Sequence, residues 1–233
     1  MAPTITTVVL ITFVVMIKMM VIEGNDTNDI YDPCSDASIK TSDGFTFGLV
    51  FSSKESFFFN QTQLSPCDRR LNLAGSKAQL TVFRPKVDEI SLLTINSTSF
   101  SPSASGGYMV AFAGRKYAAR SLPVFVADDT NIISSFTLVL EFKKGTLQNL
   151  FWNSNGCGSC SGICLNQTDC ATPVSNCTGK AGSPNCTTSI QLAFAGTDKN
   201  DKVLNSWYEV KNLGQYSLFN LYSNLKNSLN NIL

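Results

Sequence analysis

The chain has no histidine. That absence excludes Ser-His-Asp and Cys-His nucleophile arrangements, His-based zinc sites and imidazole proton relays. Charge is also scarce: charged residues make up 15% of the chain, and the formal net charge is +1. Lys and Arg form no run, and the densest basic spots, Asp68-Arg69-Arg70 and Lys143-Lys144, read as solvated loop and turn residues. Nucleic acid and an acidic membrane are therefore not expected partners. Tryptophan is rare, two residues against sixteen Phe, a balance that favours a packed core over an exposed aromatic platform.

The longest apolar stretch stands at the N-terminus, from about Val8 to Ile22, followed by Gly24 and a polar Asn-Asp-Thr. Residues 1–24 read as a secretory signal peptide cut near Gly24. No basic residue precedes the apolar run, and Lys18 sits inside it. An uncleaved anchor is the competing reading. A charge near the middle of a spanning helix costs roughly 2.5–3.5 kcal/mol on insertion scales, and this favours cleavage. The C-terminus shows neither an apolar tail for lipid anchoring nor a retention tetrapeptide.

All eight cysteines follow the proposed cut: Cys34, Cys67, Cys157, Cys160, Cys164, Cys170, Cys177 and Cys186. An even number in a chain with a signal peptide implies disulfides and an oxidising compartment. Six N-glycosylation sequons agree with that compartment, at Asn25, Asn60, Asn96, Asn166, Asn176 and Asn185. Six of the eight cysteines crowd into Cys157–Cys186, while Cys34 and Cys67 stand apart. If those two pair, they close a loop of about thirty residues, worth somewhat under 4 kcal/mol in the chain-entropy model. Eight cysteines allow 105 connectivities, and the sequence does not choose among them.

From Phe45 to the cysteine cluster the period is two. Phe45, Phe47, Leu49 and Phe51 alternate with smaller residues, and Phe136, Leu138, Leu140 and Phe142 do the same. Strands are expected at 79–84, 89–95, 107–113, 122–127, 132–142, 146–152 and 189–195, separated by Pro, Gly and Ser turns. Residues 25–41 read as an exposed acidic leader held by one disulfide. The tetrapeptide Ala-Phe-Ala-Gly occurs at 111–114 and 193–196, which reads as coincidence or weak symmetry. From Ser217 onward Leu218, Leu221, Tyr222, Leu225, Leu229 and Ile232 recur at three and four, predicting an amphipathic helix over 217–232 that packs on the body. The expected fold is thus all-β: one secreted domain over 25–233, an antiparallel, jelly-roll-like β-sandwich with a disulfide-rich insert at 153–188 and a C-terminal α-helix.

No catalytic, cofactor-binding or metal-binding residue is assigned. The Cys157-Gly-Ser-Cys160 spacing resembles that of redox proteins but lacks their strand-helix setting, so a structural knot is preferred. The cysteine spacings 2, 3, 5, 6 and 8 show no repeated pair of zinc ligands. Asp88-Glu89 and Asp128-Asp129 are adjacent, and neighbours on a strand face opposite ways, so neither doublet makes a glycosidase pair alone. Glu141, a single acid in an apolar strand, is expected at a solvated face. Asp198, Asn200 and Lys202 mimic the start of a calcium loop, but Lys202 stands where an oxygen ligand belongs. Trp152, Trp207 and Tyr208 are the candidate ligand contacts, because an aromatic ring can stack on a sugar; core packing is the competing reading.

The stretches FWNSNGCGSCSGICLNQTDC and WYEVKNLGQYSLFNLY resemble a plant family of secreted, cysteine-rich glycoproteins of unassigned function. The resemblance implies an extracellular location, apoplast or cell wall, and carries over no site residues. The expected function is a secreted, N-glycosylated, disulfide-stabilised binding or structural protein without catalytic activity, its partner a cell-wall polysaccharide or an extracellular protein. A carbohydrate-active enzyme using a carboxylate pair, or an inhibitor of a secreted hydrolase, is the alternative.

Overall fold

The computed structural model describes residues 26–95, 101–116, 119–154, 156–157, 162–165, 168–177 and 187–215. The expected signal peptide and the 217–232 helix lie outside these residues, as do Asn25, Asn96, Asn166, Asn185, Cys160 and Cys186.

Two five-stranded sheets form the body. In the first, β1 (Phe47–Ser52) lies between β4 (Gln79–Phe83) and β6 (Tyr108–Ala113), and the far edge of β6 carries β7 (Ala119–Arg120) and β8 (Val124–Phe125). In the second, β10 (Ser135–Lys143) lies between β11 (Thr146–Asn153) and β14 (Thr188–Thr197), and the far edge of β14 carries β5 (Ser91–Ile95) and β15 (Val203–Leu204). The alternation read in the sequence sets which side chains point inward. Phe47, Leu49 and Phe51 from the first sheet meet Leu138, Leu140, Phe142, Ile190, Leu192 and Phe194 from the second in one buried cluster. Phe45, just before β1, packs edge-on against Phe142 with ring centroids 5.1 Å apart, joining the sheets. The all-β sandwich expected from the sequence is therefore present.

Three features depart from the expected details. The apolar run 132–142 is two strands: β9 (Asn131–Ile133) belongs to a separate three-stranded sheet, and β10 begins after Ser134. Within the otherwise antiparallel body, β10 and β14 pair in parallel, Ser135 opposite Ser189 and Phe142 opposite Gly196. Since β11 ends beside the start of β10, with Thr137 opposite Asn153, the insert carries the chain around that end of β10 from one edge to the other. The third is a helix, α1 (Ser206–Gln215), lying against β14, that periodicity did not reveal.

The leader is not simply an exposed tether. Asn28 is buried and donates to the Gly44 carbonyl (2.7 Å), while Ile39 sits in the main core. Arg84 binds this segment through Asp26 (2.8 Å) and the carbonyls of Asn28 and Ile30, and its guanidinium lies over the Tyr31 ring at 4.1 Å. Cys34 and Cys67 do pair. Their disulfide joins Leu73, Ala78 and the two Phe side chains at 57 and 58 over Val50, Val110 and Phe112, a second small core on the outer face of the first sheet. Gly48 on that face lies under the Phe112 ring, where an added Cβ would come 2.3 Å from a ring carbon.

The two Ala-Phe-Ala-Gly segments end β6 and β14, but β6 runs antiparallel to β1 whereas β14 runs parallel to β10, so they are not equivalent parts of two duplicated halves. Their edges do share a device. Between β7 and β8, the Ala111 N–H donates to Ser121 Oγ (2.9 Å) and the Ser121 N–H to the Ala111 carbonyl (2.8 Å). Between β5 and β15, Ser206 Oγ accepts from the Phe194 N–H (2.8 Å) and donates to the Phe194 carbonyl (3.3 Å). Both serines are buried, and each hydroxyl takes the place of a missing strand partner.

Candidate ligand recess beside the cysteine-rich insert

The sheet-like part of the insert is β12 (Ile163–Leu165) and β13 (Asp169–Pro173), which pair with each other and, through β13, with β9. Ala171 opposes Ile133 and Thr172 opposes Ile132. The insert is therefore anchored to the body by a backbone ladder. Cys157 pairs with Cys164, and Cys170 and Cys177 are also disulfide-bonded.

Where the insert meets the body, three segments enclose a recess of about 280 Å³, near the lower end of the size range of small-molecule sites. The first is the turn 101–107, closed by the Gly107 N–H donating to the Pro102 carbonyl (2.9 Å), which brings the Ser101 and Ser103 hydroxyls within 3.1 Å of each other. The second is the tip between β8 and β9. There Asp128 Oδ1 accepts from the Thr130 N–H, the Thr130 hydroxyl and the Asn131 N–H at 2.6–2.7 Å, fixing the turn. The Thr130 hydroxyl, followed by the Asn131 N–H, holds the Asp128 carboxyl below the ordinary aspartate value against a smaller effect of burial. The third is the 3₁₀ turn 174–176, where the Val174 N–H donates to the Thr130 carbonyl (2.8 Å). Pro102, Ala127, Ile132 and Val174 give the recess an apolar lining; Ser101, Ser103, Asp128 and Asp129 add hydroxyls and carboxylates. Asn176 is exposed two residues from Val174.

The sequence-predicted contacts do not assemble here. Trp152 packs against the core, edge-on to Phe136 with centroids 5.7 Å apart, and its Nε1–H donates to Ser121 Oγ (2.8 Å). That is the core reading, because the inward register opposite Leu138 turns the indole toward the sandwich interior. Trp207 and Tyr208 lie on α1. Trp207 is half-buried, with Lys211 Nζ 4.8 Å from its ring centre, and Tyr208 is 68% exposed.

The acids considered for chemistry are spread out. Glu141 is exposed, with Asn149 and Ala195 as its cross-strand neighbours. Asp88 accepts from the N–H groups of Asn205 (2.6 Å) and Ser206 (2.8 Å) at the start of α1. Asp198, which opens the calcium-like stretch, spends its carboxylate on its own turn and on the leader. It accepts from the N–H groups of Asn200 (2.8 Å) and Lys202 (2.9 Å), and from the N–H (2.9 Å) and hydroxyl (3.2 Å) of Thr41. Asp128 and Asp129 sit in a turn and not on a strand, which is why both border one recess. Sequence reasoning missed Ser101, Ser103, Ile132 and Val174. The Asp-Asp-Thr-Asn turn signal was legible, but nothing local showed that it meets the 101–107 turn and the insert.

Fold and site together define an all-β protein whose disulfide-bonded insert is bound to the sheet framework and forms one wall of a recess. The family model described as uncharacterised protein DDB_G0273449 matches residues 4–133 and 123–227, and the chain belongs to that family. The family is named after a Dictyostelium protein, which corrects the plant resemblance. The first quoted stretch consists largely of closely spaced cysteines, Gly, Ser and Asn, a composition that cross-linked loops share whatever their descent, and the second, WYEVKNLGQYSLFNLY, contains no cysteine and carries no cross-link of its own. No curated protein and no solved structure matches the chain.

Proposed function

We propose that the protein is secreted, N-glycosylated and non-catalytic, and that it binds an extracellular polysaccharide in the recess beside the insert. The disulfides support the extracellular part, because such cross-links persist in oxidising compartments. Among the described residues, no helix is long and apolar enough to cross a membrane. The observation that carries the binding part is the composition of the recess: paired serine hydroxyls and aspartates over an apolar lining suit a pyranose, which presents hydroxyls at its rim and C–H groups on its faces. Cross-linking and the β9–β13 ladder keep the wall ordered before binding, which lowers the entropy lost on association. An extracellular protein is the second partner class, and Tyr208, 68% exposed on α1, would be its contact.

Co-sedimentation of the secreted protein with a panel of insoluble polysaccharides tests the proposal, with soluble sugar assayed in parallel. Retention on one polymer that Ser103→Trp abolishes by filling the recess, without sugar release, is the expected result. Release of sugar would replace this reading with the enzymatic one. Failure to bind any polymer, together with capture of an extracellular protein that Tyr208→Ala prevents, would replace it with the second partner class.

A further inference from the structure

Outside the lining of the recess, β2 (Phe58–Phe59) and β3 (Thr62–Gln63) form a small hairpin whose two turn residues are Asn60 and Gln61. Both have positive φ, 46° and 69°, the type I′ combination that matches the twist of a two-residue hairpin. Asparagine tolerates this region better than most residues. Phe58 packs against the second core, and alternation then sends Phe59 outward, where it is 42% exposed. Phe59 lies directly opposite Thr62. The four residues from 59 to 62 thus place an exposed aromatic ring, a sequon asparagine at an exposed turn and the sequon threonine around one another.

We propose that Asn60 carries an N-linked glycan whose first N-acetylglucosamine lies on the Phe59 ring and the Thr62 methyl, so that the sugar covers the hairpin's exposed apolar face. The inference rests on the reading of the protein as a secreted glycoprotein. The linkage forms between Asn60 Nδ2 and C1 of the first sugar; a lipid-linked oligosaccharide is the donor, and its lipid diphosphate leaves with the amide proton passing to solvent. The contact would use the apolar face of the pyranose against the ring face, the geometry by which aromatic side chains bind sugars.

The test uses the full chain secreted from a glycosylating eukaryotic host. Glycopeptide mass spectrometry is expected to find Asn60 occupied. Trimming every glycan to one N-acetylglucosamine should leave the melting temperature unchanged, since only the first sugar touches Phe59. Asn60→Asp keeps a residue that tolerates positive φ, and should lower it by about 2–4 °C. In a Phe59→Ser background the same change should cost nothing further, because the contact is already lost. An unoccupied Asn60 with sugar elsewhere would overturn this inference alone; absence of sugar at every sequon would overturn the glycoprotein reading too. A loss on trimming, or equal losses with and without Phe59, would also overturn the inference, by showing that the ring is not what the sugar contacts.

Discussion

Two serine hydroxyls decide whether the sandwich edges hold. Ser121 Oγ receives both the Ala111 N–H and the Trp152 indole N–H, and Ser206 Oγ completes the ladder at Phe194. Removing either hydroxyl leaves buried polar groups without a partner, at about 1–3 kcal/mol. Ser121→Ala and Ser206→Ala should each lower stability by about that amount in urea unfolding, with little change in the dependence on urea concentration. An exposed serine such as Ser38 changed to Ala is the reference and should cost under about 0.5 kcal/mol. The aspartates set a second expectation. Burial pushes the Asp198 carboxyl up, but the hydrogen bonds from Thr41, Lys202 and Asn200 outweigh it and leave the group below its ordinary value. Asp26 is likewise held low: burial raises it, and the Asn28 N–H and the Arg84 guanidinium more than offset that. A carboxyl whose folded value is depressed stabilises the fold above its unfolded value, and that contribution is lost as pH falls through the folded value. With no histidine in the chain, stability should stay nearly flat between about pH 5 and 8 and decline below about pH 4. Thermal unfolding across that range would contradict this if the main decline fell between pH 5 and 7.

At the level of elements, α1 shows how a helix escapes a reading based on apolar period. Its start is marked by Asn205, whose carbonyl accepts from the Glu209 N–H (3.0 Å), and by Glu209 in the first turn, both ordinary signals of a helix N-terminus. The remaining cap comes from Asp88, 117 positions away, and no local pattern predicts that. Asp88→Gly, which accommodates the positive φ of 67° at this position, should cost about 1 kcal/mol and fray the first turn of α1, seen as faster amide exchange at Ser206 and Trp207 while the β10–β14 ladder keeps its protection. The strands were legible for the opposite reason. Phe47, Leu49 and Phe51, like Leu138, Leu140 and Phe142, alternate because one face of each strand is buried, so the period carries the fold directly. The break at Ser134 was not legible, because the Ser134-Ser135 pair stands between Ile132-Ile133 and Phe136 within one β-like run and only the partner strand changes.

Across the whole molecule, the insert was visible as cysteines and its purpose in the fold was not. Cys34–Cys67 could be read from isolation, since these two lie outside the cluster. That the insert turns the chain around the start of β10, pairs with β9 and walls a recess with the 101–107 turn depends on contacts between distant residues, which composition and spacing do not encode. The candidate contacts taken from aromatic chemistry went the same way: Trp152 supplies core area and a hydrogen bond to Ser121, and the recess drew on turn serines and on Asp128-Asp129, an acid doublet that sequence alone weighed only as a catalytic pair. The proposed binding of sugar in this recess is tested most directly by following backbone amide signals of the isotopically labelled, disulfide-intact protein as short oligosaccharides from a retaining polymer are added. Saturable shifts centred on Ser101, Ser103, Asp129, Ile132 and Val174, with α1 and the Asn60 hairpin unmoved, are the predicted result. Shifts centred on Tyr208 of α1 and Val203 of β15, or on Glu141 with sugar cleaved during the titration, would contradict it.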